Sequence, residues 1–254
     1  MQTRPNFFTI DDMRITRVWG AHWQSYFGEA TELGFFMINA WIMTTLLRYA
    51  GSFLHQFVSS EFVQRLILGT VIFLIVMIII YNSWNKVSRA FINPAIILAS
   101  IQLGRISKID AEFACFLQFL VTRVLAFATS IVIGRSFQHF NIRYATTRPD
   151  PDGLFGAFIA TFLMSHRLML ALLWIEDFKR LKPYLGLIVA FIISVYLPFE
   201  TPLFGVSSDS ARSFESALVG NITGYFWIYL TALLLGTFVA AETYLNFKIH
   251  PSPS

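Results

Sequence analysis

Apolar residues in this chain gather into runs long enough to cross a membrane, and polar residues gather between them. The runs lie near Leu33–Leu47, Leu66–Trp84, Ala111–Ile133, Leu154–Ile175, Tyr184–Leu197 and Tyr225–Tyr244. Most approach the ~20 residues that carry an α-helix through a ~30 Å hydrocarbon core, so the pattern predicts six crossings. Two shorter stretches, Pro94–Leu103 and Ser210–Leu218, each follow turn-forming residues. At ~1.5 Å per residue, each covers about half the bilayer. The order is span, span, half-span, span, and then the same again. An odd number of crossings separates the two sets, so the second is inserted upside down relative to the first. That is the inverted-repeat arrangement, which places two broken helices at the bilayer midplane. The predicted fold class is therefore an all-α membrane protein with six transmembrane helices and two half-membrane re-entrant helices.

The same pattern divides the chain. An N-terminal surface segment covers 1–26, a first inverted repeat 27–134 with half-helix 94–103, and a linker 135–153. A second repeat covers 154–246 with half-helix 210–218, followed by a C-terminal tail, 247–254. The first segment mixes Arg4, Arg14 and Arg17 with Asp11, Asp12, Trp19 and Trp23. It lacks the short apolar core and small-residue cleavage site of a secretory signal, and reads as an amphipathic stretch at the membrane surface. Arg148-Pro149-Asp150-Pro151-Asp152-Gly153 carries the turn chemistry of a linker.

Basic residues orient the whole. One side would hold Arg4, Arg14, Arg17, Lys86, Arg89, Arg105, Lys108, Lys179, Arg180, Lys182 and Lys248, and the other Arg48, Arg65, Arg135, Arg143 and Arg148. The richer side, with both termini, is predicted to face cytoplasm or a matrix; a plasma or organellar membrane, mitochondrial included, fits equally.

Composition sharpens the class by exclusion. At 56% hydrophobic and 13% charged residues, the 254-residue chain falls outside the range of soluble domains. Cationic loops account for the net charge of +4, so no nucleic-acid partner is called for. Cys115 is the one cysteine, which excludes an internal disulfide or thiolate metal site. His22, His55, His139, His166 and His250 fall in no metal-ligand spacing, and no metal or cofactor is expected. Glu29 and Glu32 lie near one helical turn apart, but helix packing and a surface cap explain them better than acid catalysis. Asp209, Ser210 and His166 lack the strand-turn-helix elbow of a nucleophile, so an enzyme is not expected.

The most informative polar stretch is Ser207–Leu218, which carries Asp209, Arg212 and Glu215 between two apolar runs. Such groups are tolerated at membrane depth where they line a cavity or are buried in protein. Its counterpart in the first half is Ser88-Arg89-Ala90-Phe91-Ile92-Asn93-Pro94-Ala95. This resembles the first signature of the aquaporin (major intrinsic protein) family, whose usual form is Ser-Gly-Ala-His-hydrophobic-Asn-Pro-Ala. Gln118 falls where the family carries an Ala-Gln pair in its third span, and Phe73 where the second span gives the pore an aromatic residue. Ser210-Ala211-Arg212-Ser213-Phe214, with Ser216-Ala217-Leu218-Val219, is similar to the residues around the second Asn-Pro-Ala, including its arginine. Gly186-Leu187 with Val189-Ala190, and Trp227-Ile228-Tyr229 leading to Gly236, are similar to family positions in spans five and six. The matches run in family order from about Glu29 onward.

The resemblance implies an aquaporin-like passive channel for water or a small neutral solute. It also implies a pore midplane of Asn93, Pro94, Ala95, Asp209, Ser210 and Ala211, and a homotetramer in a lipid bilayer. Its selectivity filter would be Phe73, Val206, Arg212 and one residue of span five, Ile193 or Leu197. Counting forward from Gly186 reaches Ile193, whereas counting back from Asp209 reaches Leu197, with about four extra residues in a loop through Pro198, Glu200 and Pro202. Two facing half-helix N-termini would each present about +0.5 charge and unpaired N–H donors, which disfavours cations while water exchanges hydrogen bonds.

Several residues depart from the family pattern. The second tripeptide is Asp209-Ser210-Ala211. Aspartate caps a helix well, yet its carboxylate only accepts hydrogen bonds and its charge offsets the dipoles. Arg89 and Phe91 replace the small glycine and the histidine before the first motif, and Ala157 replaces a buried glutamate of span four. Glu29 or Glu32 could still brace a pore loop from span one. Ala232 and Leu233 replace the Gly-Pro of span six. Arg123 and Arg167 fall inside spans; with Arg89 they are candidate pore or assembly charges, paired within the protein or with a neighbouring subunit, or one of them with Asp209. These departures also fit an alternative, a non-conducting aquaporin-fold scaffold or accessory subunit of a larger membrane assembly.

Overall fold

The computed structural model describes residues 10–81, 93–134, 153–204 and 224–249. Helix α1 spans Ile10–Arg48, α2 Phe53–Phe57, α3 Glu61–Tyr81, α4 Pro94–Gln102, α5 Lys108–Ile133, α6 Leu154–Asp177, α7 Leu185–Phe204 and α8 Phe226–Ile249. A 3₁₀ turn, Lys182–Tyr184, leads into α7. Five of these, α1, α3, α5, α6 and α8, contain stretches long and apolar enough to cross a membrane, and α7 adds a 20-residue helix. The chain is an integral, multi-pass membrane protein.

Two boundaries differ from the sequence reading. From Ile10 on, the surface segment is not separate from the first span: α1 runs 39 residues through position 26 without a break. The loop expected across Pro198, Glu200 and Pro202 is instead helix, because α7 continues to Phe204. Proline is tolerated inside membrane helices where neighbouring groups take over the freed backbone hydrogen bonds.

Helix pairing repeats between the halves. Helix α1 packs on α5 and, less extensively, on α3; α6 packs on α8 and, less extensively, on α7; α3 and α7 join the halves. Two glycines make close approaches possible. A Cβ at Gly34 of α1 would lie 2.3 Å from Leu125 Cδ1 of α5, and one at Gly236 of α8 would lie 2.5 Å from the Phe162 carbonyl oxygen of α6.

Three apolar clusters follow from this pairing. One surrounds Trp41, Leu33 and Met37 of α1 with Ile72, Ile75 and Val76 of α3 and Ala190 of α7. A second joins Tyr26 and Ala30 of α1 to Ile97 of α4 and Ala111 and Ala114 of α5. The third joins Ala99 of α4 to Met169 and Leu173 of α6 and to Ala240, Ala241 and Tyr244 of α8. Helix α4 thus lies between two clusters, Ile97 in one and Ala99 in the other, which explains why so short a helix is apolar on most of its faces.

Candidate pore site

Helix α4 is set at both ends by local chemistry. Asn93 has the extended backbone of an N-cap, with φ −140° and ψ 122°, and its side-chain Oδ1 accepts the Ala95 N–H at 2.9 Å. Pro94 occupies the first turn, where its missing N–H would be unpaired anyway. At the other end Gly104 takes φ 67°, Arg105 N–H donates to the Ser100 carbonyl at 3.0 Å and Gly104 N–H to that of Ile101 at 3.0 Å. This pair of bonds closes the helix in a Schellman turn.

The polar partners of the C-terminal end determine how deep α4 lies. Arg105 pairs with Glu176 at 2.5 Å, and Gln102 Nε2 donates to Glu242 Oε2 at 2.6 Å. Next to them Tyr244 donates to Asp177 Oδ2 at 2.6 Å and Lys248 reaches Asp177 Oδ1 at 3.2 Å. The end of α4 is therefore level with the C-terminal turns of α6 and α8. Nine residues further in, at ~1.5 Å each, its N-terminus lies about 14 Å from that level, close to half of a ~30 Å core. Asn93, Pro94 and Ala95 are buried there. Thr237 of α8 brings its hydroxyl to 3.4 Å from the Ala95 carbonyl. The result is a capped helix N-terminus at mid-depth, with a positive partial charge from the helix dipole.

Two of the expected filter residues fall among the described ones. Phe73 of α3 and Ile193 of α7 are both partly buried and pack on the cluster around Trp41. Phe73 is twelve residues from the N-terminal end of α3 and Ile193 eight from the N-terminal end of α7. Those two ends lie at opposite sides, because Tyr81 at the other end of α3 meets Pro183 just before α7. With a straight rise this is roughly 18 Å from one surface and roughly 12 Å from the other, so the two are level in a ~30 Å core. Glu29 and Glu32 are both buried, and Glu29 accepts the Ser25 hydroxyl at 3.4 Å. Gln118 is fully buried on α5 and Ala157 on α6. Arg123 and Arg167 are exposed on α5 and α6. Arg89, Val206, Asp209, Ser210, Ala211 and Arg212 lie outside the described residues, as does the side chain of Leu197. Among the described residues no cluster of histidine, cysteine, aspartate or glutamate could hold a metal ion.

A second polar constellation escapes the sequence reading. Asp110 of α5 accepts from the Tyr26 hydroxyl of α1, lies 2.7 Å from His22 Nδ1 and accepts from the Ser107 hydroxyl at 2.6 Å. Ser107 in turn accepts the Asp110 N–H at 3.1 Å. The Ser107-x-x-Asp110 spacing signals the start of a helix. Nothing local signals the partners on α1, which are 84 and 88 positions away.

The model of the major intrinsic protein family matches residues 21–244. Probable aquaporin NIP7-1 of Arabidopsis thaliana is 25% identical over 182 residues, covering 70% of this chain and 64% of that protein. Aquaporin-1 of Gibberella zeae is 28% identical over 173 residues, covering 66% of this chain and 52% of that protein. The chain thus spans less than two thirds of the length of these curated relatives. The X-ray structure of the aquaglyceroporin from Plasmodium falciparum superposes with a TM-score of 0.70 over 88% of this chain and 95% of that one. At 20% identity, the likeness is one of fold. With its half-helix and helix pairing, and with a family match across most of its length, the chain belongs to the major intrinsic protein family.

Proposed function

We propose that the protein is a passive transmembrane channel for water or a small neutral solute. The observation that carries this reading is the buried N-terminus of α4 at mid-depth, capped by Asn93 through its carbonyl oxygen. The cap uses the side-chain carbonyl oxygen as its acceptor, which fixes the orientation of Asn93 at the start of the half-helix. In this reading Phe73 and Ile193 form walls with Val206, Arg212 is the filter cation, and Asp209, with Ser210 and Ala211, is the modified midplane group of the second half. The second half-helix completes an inverted repeat across the linker 135–153. The protomers assemble as a homotetramer with termini on the cytoplasmic or matrix side. Relatives named as aquaporins support the reading.

The test is stopped-flow permeability of vesicles reconstituted with the purified protein. Water, glycerol, urea and ammonia are measured against protein-free vesicles. Faster flux of at least one of the four is expected. Asp209→Asn should change the rate or the ranking, because it restores a donor amide and removes a carboxylate. Flux equal to empty vesicles for all four solutes, from protein of native helicity, would overturn the reading in favour of a scaffold.

A further inference from the structure

The long helices pack in the order α5, α1, α3, α7, α6, α8, and among the described residues the two at the ends of that series make no extensive contact with each other. The half-helix α4 packs between them. A groove of about 570 Å³ opens there. Its floor is α4, through Pro94 and Leu98, and Leu98 is 44% exposed although α4 is wedged between two apolar clusters. One wall is α5, where Lys108, Glu112, Cys115 and Phe119 follow one another by steps of four, three and four residues and so share a face. Leu230 and Leu234 of α8 form the other wall.

The groove has the length of one leaflet. Lys108 opens α5 just after the turn that ends α4, at the level of the helix ends. Phe119 lies eleven residues further in, about 16 Å along the helix, which is close to half of a ~30 Å core. Pro94 lies at the same mid-depth, and the lining goes little further. A helix of another protein, or of a second copy, crosses both leaflets and would bridge this groove without filling it. A single acyl chain ends at mid-depth and is flexible enough to follow the floor.

The polar end of the groove carries two opposite charges. Lys108 and Glu112 are exposed, and their side chains lean toward the N-terminus of α5, which here is the membrane surface. The Lys108 ammonium, together with the positive end of the helix dipole, suits a phosphate. The Glu112 carboxylate, one turn away on the same face, suits an ammonium and works against a headgroup of net negative charge.

We propose that this groove is a phospholipid site. One acyl chain lies over Leu98 between α5 and α8, and a phosphoethanolamine headgroup places its phosphate on Lys108 and its ammonium on Glu112. The proposal holds whether or not the pore conducts.

The full chain is reconstituted in phosphatidylcholine vesicles containing a phosphatidylethanolamine with a photoreactive diazirine near the end of one acyl chain. After irradiation, the attachment sites are located by peptide mass spectrometry. Labelling of Leu98, Phe119, Leu230 and Leu234 is expected to exceed that of Phe116 and Leu120, which are exposed on α5 outside the groove, by at least about threefold. Leu98→Trp fills the floor and should remove the excess. Replacing part of the phosphatidylcholine by unlabelled phosphatidylethanolamine should lower groove labelling more than phosphatidylglycerol does, and Glu112→Lys should reverse that order. Labelling no stronger in the groove than at Phe116 and Leu120, an excess that survives Leu98→Trp, or phosphatidylglycerol competing as well as phosphatidylethanolamine overturns the proposal. Circular dichroism confirms that each variant is helical, and the competition in the parent protein and in Glu112→Lys decides the matter if Leu98→Trp is not.

Discussion

Replacing Gly236 by alanine tests how closely α6 and α8 are held. A Cβ there would lie 2.0 Å from Ser165 Oγ, 2.5 Å from the Phe162 carbonyl oxygen and 3.2 Å from His166 N. The Ser165 hydroxyl can rotate away. The Phe162 carbonyl belongs to helix backbone and cannot. Carbon and carbonyl oxygen approach to about 3.3 Å, so α8 must retreat by roughly 1 Å at the crossing. Overpacking of this kind costs about 1–3 kcal/mol. Alanine's better helix propensity returns about 1 kcal/mol, which leaves a net loss of up to about 2 kcal/mol. Unfolding in mixed micelles, followed by tryptophan fluorescence, measures the difference. Gly34→Ala is the control, because the one atom its Cβ would clash with is the tip of the Leu125 side chain, which can move, and Val121 Cγ1 at 3.5 Å is an ordinary contact. It should fall within about 1 kcal/mol of the parent. Thr237 adjoins Gly236 and approaches the Ala95 carbonyl, so retreat of α8 should also lower vesicle permeability. Stability of Gly236→Ala equal to or above the parent would refute the reasoning. Full rescue by Ser165→Ala would too, because the Phe162 carbonyl remains in the way.

Other substitutions probe other links. Gly104→Ala has no neighbour within 4 Å to strike, so its destabilisation, about 1 kcal/mol in the same assay, comes from the left-handed backbone at φ 67° alone; Gly104→Asn should cost less. Asp110→Ala removes the acceptor of the buried Tyr26 hydroxyl and should cost about 1–3 kcal/mol. A double-mutant cycle with Tyr26→Phe should show coupling of at least about 0.5 kcal/mol, and strict additivity would dismiss the tie. Asn93→Ala should lose about 1 kcal/mol with the cap and reduce water flux, whereas Asn93→Asp keeps a capping acceptor and should lower flux with little loss of stability.

The start of the first half-helix was legible in the sequence. Asn93-Pro94 is a helix start on local grounds alone, since a capping side chain and a residue without an N–H act within one turn. The spans were legible because a hydrocarbon core demands long apolar runs wherever they fold. Helix ends were less so. The prolines at 198 and 202 read as a loop, but α7 continues through them. The continuity of α1 from Ile10 was likewise invisible to a hydropathy pattern that changes near residue 27.

What the sequence alone determined was the class of element and its rough length, from hydropathy, caps and turn residues that act over a few positions. Tertiary structure decided which elements meet. It set the depth of α4 through Gln102 and Glu242, 140 positions apart, and tied α5 to α1 through Asp110 and Tyr26. It also turned Arg167 outward while burying Glu29 and Glu32. An apolar run fits a membrane on any of its faces, so only packing against particular neighbours settles which polar side chains are enclosed and which face outward.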